Sequence, residues 1–211
     1  MHIFKENIIF NISDSNIEGH LCIPEGSQSL VIFSHGSGSS RFSPRNNFIA
    51  EILNKAGIST FLPDLLTPEE DENEDNRFDI ELLTSRLTEI TTMILKHSKL
   101  KNFLTGYFGA STGAASALKA SVGLNNCIKA IVSRGGRPDL VPEIFTQVTA
   151  PTLLIVGERD IEVLRLNDQV FQSLKCTKKL SIIPGATHLF EEAGTLEQVG
   201  KIACDWYKKH L

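Results

Sequence analysis

Apolar positions follow two periods along the chain, and the two alternate. Residues 29–34 and 152–157 are short, almost unbroken apolar runs of strand length. Ile80, Leu83, Leu87, Ile90 and Ile94 instead recur every three or four residues, the spacing of one helix face. Strands are predicted at 6–12, 16–23, 29–34, 58–62, 102–109, 128–133, 152–157 and 179–183. The first two form a hairpin turning at Asp14-Ser15. Helices are predicted at 44–56, opened by Ser43-Pro44 and stopped by Gly57, and at about 79–97, capped by Asp79. Others cover 114–123, 139–147, 161–174 and 196–209, the last with Thr195 and Gln198 as a capping box. Strands alternating with helices through short connections imply an α/β protein: a mostly parallel sheet of about eight strands, with helices on both faces.

The strand at 102–109 runs directly into Gly109-Ala110-Ser111-Thr112-Gly113 and then into an alanine-rich helix. A strand that reverses into a helix within a few residues crowds its own backbone. Glycines two positions before and two after the serine relieve that crowding. In 211 residues with 15 glycines the five-residue pattern alone is weak, but its place between strand and helix is that of a nucleophile elbow. The bland alternative makes Ser111 a helix N-cap. On the elbow reading, the free N–H of Thr112 at the helix start faces an oxyanion.

Composition narrows the function classes. At 41% hydrophobic, the chain supports one sizeable core, and residues 1–211 are expected to form a single domain. A net charge of −4 and the absence of basic runs interleaved with aromatics argue against nucleic acid as a partner. Cys22, Cys127, Cys176 and Cys204 are widely spaced, which suggests neither a metal site nor a redox pair. No signal-like start and no apolar run of about 20 residues is visible, so no membrane is expected and a cytoplasmic location is. The one compositional break is Asp64–Arg77, with seven acidic residues. It reads as a solvated loop, or as a border of the active site.

A seryl nucleophile needs a base, since its hydroxyl is protonated at neutral pH. Of six histidines, His188 follows the last strand in Pro184-Gly185-Ala186-Thr187-His188, where a loop can carry an imidazole over the sheet. The plain alternative is a surface loop residue. Asp160, after strand 152–157, is the preferred carboxylate to orient the base, with Glu158 as fallback and a salt bridge or helix cap as its ordinary reading. Ser111, Asp160, His188 is the chain order of an α/β-hydrolase triad.

On His35-Gly36, the elbow, Gly157-x-x-Asp160 and Gly185-x-x-His188, the chain resembles α/β hydrolases over nearly its whole length. With no insertion long enough for a large cap domain, it is similar to their dienelactone hydrolase-like branch. The resemblance implies a backbone oxyanion donor after the His-Gly pair, mapping to Ser37, or less readily Gly36, with His35 holding the loop. Dienelactone hydrolases proper use a cysteine where this chain has Ser111, so their lactone does not transfer. The implied activity is that of a carboxylesterase-like serine hydrolase, cleaving a small ester, thioester or lactone without cofactor or metal. The alternatives are acyl transfer by the same triad, or a hydrolase-fold protein that binds a small molecule or protein without catalysis.

Arg41, Arg45, Arg134, Arg137 and Arg159 all follow predicted strand ends on the presumed catalytic face. Guanidinium forks match carboxylates and phosphates, so Arg41, Arg45, Arg134 and Arg137 are candidates for binding an anionic substrate. The competing reading pairs them with the acidic segment around Glu69–Asp75.

Overall fold

The structure is a computed structural model that describes residues 2–12, 15–124 and 126–211. Eight strands form one sheet: β1 (Ile3–Ile12), β2 (Ser15–Pro24), β3 (Ser29–Ser34), β4 (Ser59–Pro63), β5 (Leu104–Ala110), β6 (Ile128–Arg134), β7 (Thr152–Gly157) and β8 (Lys178–Ile183). Their order is β1-β2-β4-β3-β5-β6-β7-β8. β1 and β2 pair antiparallel, as do β2 and β4, and all later pairs are parallel. β3 to β7 are covered on both faces, which explains their unbroken apolar runs, whereas β1 and β8, at the edges, mix exposed and half-buried positions. Ser15 opens β2; Asp14, the other half of the expected hairpin turn, lies outside the described residues.

The helices are α1 (Pro44–Lys55), α2 (Pro68–Asp71), α3 (Ile80–Ile94), α4 (Thr112–Gly123), α5 (Ile161–Ser173) and α6 (Thr195–His210). On one face, Ile49 and Leu53 of α1 and Val199, Ala203 and Tyr207 of α6 pack on Phe33 and Phe108, whose rings lie 4.8 Å apart. On the other, Leu83, Leu87, Ile90 and Ile94 of α3 and Leu118 of α4 pack on Ile32, Tyr107 and Ile131. The two layers grip β5 from both sides. Tyr107 shares a 2.6 Å hydrogen bond with Thr91 of α3, and its carbonyl accepts one from the Tyr207 hydroxyl of α6, also 2.6 Å. The strand that leads into the serine is therefore held from both faces.

Three local expectations are corrected. The helix expected at 139–147 is instead two short 3-10 turns, Pro138–Leu140 and Pro142–Ile144. Pro142 cannot donate to a helical ladder and its ring collides with the preceding turn, so it restarts the chain. The Thr195–Gln198 capping box is absent: Gly194 is the N-cap at φ 79°, and the Thr195 hydroxyl donates back to the Glu192 carbonyl (2.7 Å). A capping box does form at Thr67 and Glu70, inside the acidic segment expected to be a loop. That segment folds into α2 and a 3-10 turn, Glu74–Arg77. It is held by Glu70 to the buried Arg86 of α3 (2.8 Å) and by Asp71 to Arg77.

Candidate active site

Ser111 occupies the first position after β5, with φ 51° and ψ −124°, a conformation costly for a residue with a Cβ. Three hydrogen bonds impose it. Ser111 N–H donates to the Arg134 carbonyl (3.3 Å), and the Ser111 carbonyl accepts from the N–H groups of Ala114 and Arg137, both at 3.0 Å. The turn is tight enough that a Cβ on Gly109 would lie 2.5 Å from Ala114 Cα, and one on Gly113 would overlap the Ser34 carbonyl. Although Ser111 is the N-cap of α4, its side chain makes no capping bond, so the hydroxyl is left for other work.

His188 and Asp160 arrive from β8 and β7. His188 Nδ1 lies 2.6 Å from Asp160 Oδ2, and a carboxylate partner there places the ring proton on Nδ1, leaving Nε2 to accept. Asp160, too, sits at a helix N-cap and makes no capping bond. Glu158, the fallback, accepts from the Gly185 N–H (2.7 Å) and so ties down the start of the histidine loop. Glu192 accepts from the Thr187 N–H (3.1 Å) and ties down the middle. Phe190 anchors the far side, 2% exposed and at φ 56°. Neither glutamate's role was legible beforehand, because each spans a loop closure that no local pattern encodes. The His188 side chain itself is 38% exposed, open to the solvent side of the site.

His35-Gly36-Ser37 follows β3 and lies against the elbow. A Cβ on Gly36 would lie 2.9 Å from Ser111 Cβ, so only glycine lets this loop approach the serine. His35 is buried: its Nε2 accepts from the Leu65 N–H (2.9 Å), and Nδ1 donates to the Gly36 carbonyl (3.0 Å). Burial holds its pKa below the ordinary value, so the ring is neutral and structural. The Ser37 N–H is not free, for it donates to Thr112 Oγ1 at 3.0 Å. Beside this loop, a cavity of about 230 Å³ is lined by Ser39, Ser40, Phe42, Leu66, Thr67 and Asp71. The acidic segment thus borders the same end of the sheet as the serine.

The arginines divide. Arg41 is paired with Asp64 and with Glu18 (2.6 Å), Arg45 with Glu191 (3.4 Å), and Arg137 with Asp139 (2.9 Å). None of these partners belongs to the stretch Glu69–Asp75, which engages Arg77 and Arg86 instead. Arg134 is 6% exposed and forms no ion pair among the described residues. Its guanidinium touches Asn46 Oδ1 at 3.5 Å and lies 5.8 Å from the Phe190 ring. Burial, with the charge of Arg45 added, pushes its pKa down to about 10. Among the described residues, no three His, Cys, Asp or Glu side chains converge as a metal site, and no helix is long and apolar enough to cross a membrane.

No protein-family model matches the chain. Two curated Mycobacterium tuberculosis proteins, each named "Putative phosphoribosyl transferase", are 53% identical to it over 195 residues, 92% of this chain. The chain spans only 44% of their length. The crystal structure of a dienelactone hydrolase from Anabaena variabilis is 44% identical, covers 99% of both chains and superposes with a TM-score of 0.95. Est1E from Butyrivibrio proteoclasticus shares the fold at 17% identity, with 96% of this chain and 98% of that one covered and a TM-score of 0.80. By its eight-stranded sheet and its full-length match to the Anabaena protein, the chain belongs to the dienelactone hydrolase-like branch of the α/β hydrolases.

Proposed function

We propose that the protein is a serine hydrolase that cleaves a small ester, thioester or lactone through an acyl-enzyme on Ser111. The observation that carries this reading is the serine itself, held at φ 51° by three backbone hydrogen bonds at a helix start while its side chain caps nothing. Strain of roughly 1–3 kcal/mol is retained where function uses it. Here the strained turn leaves the hydroxyl without a capping partner. The His188–Asp160 pair, which follows the same ends of the parallel strands as Ser111, supports the same reading, since a base needs an orienting carboxylate.

In the proposed reaction, Ser111 Oγ attacks the carbonyl carbon as its proton passes to His188 Nε2. The carbonyl electron pair moves to oxygen and is stabilised at the start of α4, where the Thr112 N–H has no intrahelical acceptor. Collapse expels the leaving group, which takes the proton from His188, and water activated by the same ring releases the acid. Asp160 keeps the proton on Nδ1 and stabilises the imidazolium between steps.

Arg41, Arg45 and Arg137 already hold carboxylates and Arg134 is buried, so the proposal requires no negative charge on the ester. Phosphoribosyl transfer displaces pyrophosphate from a sugar carbon and has no use for a seryl nucleophile. The name carried by the longer Mycobacterium proteins is therefore not extended to this chain. A fluorophosphonate probe tests the proposal: it labels the wild type and not Ser111→Ala. Equal labelling of the two overturns it.

A further inference from the structure

The contact between Ser37 and Thr112 changes which groups can serve the oxyanion. The Ser37 N–H, the second donor implied by the resemblance, points at Thr112 Oγ1 from 3.0 Å. That hydroxyl is on the residue directly after the nucleophile, and Thr112 is 4% exposed. Among the described residues, the Ser37 amide is its hydrogen-bond partner, and no acceptor is present for the hydroxyl's own proton. A buried hydroxyl is one donor as well as an acceptor, so this one has a proton to give. The loop that brings Ser37 into place is the one whose Gly36 sits against Ser111 Cβ, so the Thr112 hydroxyl ties that loop to the helix start.

We propose that the second oxyanion donor is the Thr112 side chain: Oγ1 accepts from the Ser37 N–H and donates its own proton to the developing oxyanion, beside the Thr112 backbone N–H. The inference rests on the serine-hydrolase reading above. In the transition state Ser111 Oγ bonds to carbon, its proton goes to His188, and the carbonyl oxygen gains the electron pair. The threonine proton stays on Oγ1 throughout and only hydrogen-bonds. Accepting from an amide polarises a hydroxyl toward donation, so Ser37 acts through Thr112 rather than directly. The competing arrangement makes Thr112 a stopper that occupies the Ser37 N–H until substrate displaces it. The two differ in sign: removing the hydroxyl slows the first and leaves the second unchanged or faster.

The test measures p-nitrophenyl acetate turnover and fluorophosphonate labelling rate for wild type, Thr112→Val, Thr112→Ala and Thr112→Ser, with thermal melts of each. Loss of one oxyanion donor slows such reactions by about 100- to 1,000-fold in kcat. That loss is expected for Val and Ala with KM little changed, and Ser, which keeps the hydroxyl, is expected to recover most of it. The alanine variant removes atoms without adding any, and so reports even if valine disturbs folding. If Val or Ala turns over at the wild-type rate or faster, the proposal is overturned and Ser37 is the direct donor. If wild type and Ser111→Ala are labelled equally, it is the underlying hydrolase reading that fails.

Discussion

Asp160 Oδ2 lies 2.6 Å from His188 Nδ1, although the two residues leave different strands and Asp160 occupies a helix cap position it does not use for capping. The pairing separates it from Glu158, two residues earlier, which binds the Gly185 amide instead.

Asp160→Asn offers the imidazole an amide that can donate as well as accept, and so releases the ring from the productive tautomer. By analogy with Ser-His-Asp triads, kcat for an activated ester is expected to fall by about 10⁴ with folding intact. Glu158→Gln still offers an oxygen to Gly185 and keeps activity within about tenfold. Steady-state kinetics on the two variants checks the assignment; a larger loss in Glu158→Gln would exchange their roles.

Burial of His35 adds to the acid sensitivity of the fold. Burial lowers its pKa in the folded protein below the ordinary 6.5, so below that pH the unfolded chain binds a proton that the folded chain resists. Its contribution is complete above pH 6.5 and is lost as pH falls through the folded value. His35→Gln keeps an acceptor for Leu65 but does not titrate. Melting temperatures between pH 8 and 5 should therefore fall more steeply in wild type than in the variant, and parallel curves would refute this.

Arg134 is a buried cation whose charged neighbour is Arg45, another cation. An unpaired buried charge costs more than an apolar side chain of similar length. Arg134→Met should hold or raise Tm, by about 2–4 °C for each kcal/mol recovered. A fall in Tm would mean that the Asn46 and Phe190 contacts outweigh the desolvation.

Arg41 draws Glu18 of β2 and Asp64 after β4 together, and Asp64 also accepts the Arg41 N–H at 2.7 Å. Arg41→Ala should therefore lower turnover of neutral and carboxylate-bearing esters by similar factors, through the loop that continues from Ser37. A loss confined to the anionic ester would restore Arg41 as a substrate ligand.

The strands, the elbow and the order Ser111, Asp160, His188 are readable from the chain because each depends on near neighbours. Apolar period selects strand or helix, and the spacing of Gly109 and Gly113 around Ser111 is a local steric demand. Pro142 is a readable signal as well, since a proline inside a helical pattern removes a donor and breaks the ladder. The Thr195 cap failed for a subtler reason, because Gly194 at φ 79° turns the chain before the threonine can face the helix start.

Other features depend on which distant segments meet. No period or motif places Glu18 beside Arg41, Glu191 beside Arg45, or the Ser37 amide on the Thr112 hydroxyl 75 residues away. The arginines after the strand ends look alike in one dimension. Folding neutralises three of the four proposed as substrate ligands and buries the fourth. Residue type and spacing thus settled the fold and singled out the candidate reacting groups, because backbone sterics and burial act over a few positions. The partners of charges and hydrogen-bond donors were settled only in three dimensions, since they depend on long-range distances that a linear pattern does not contain.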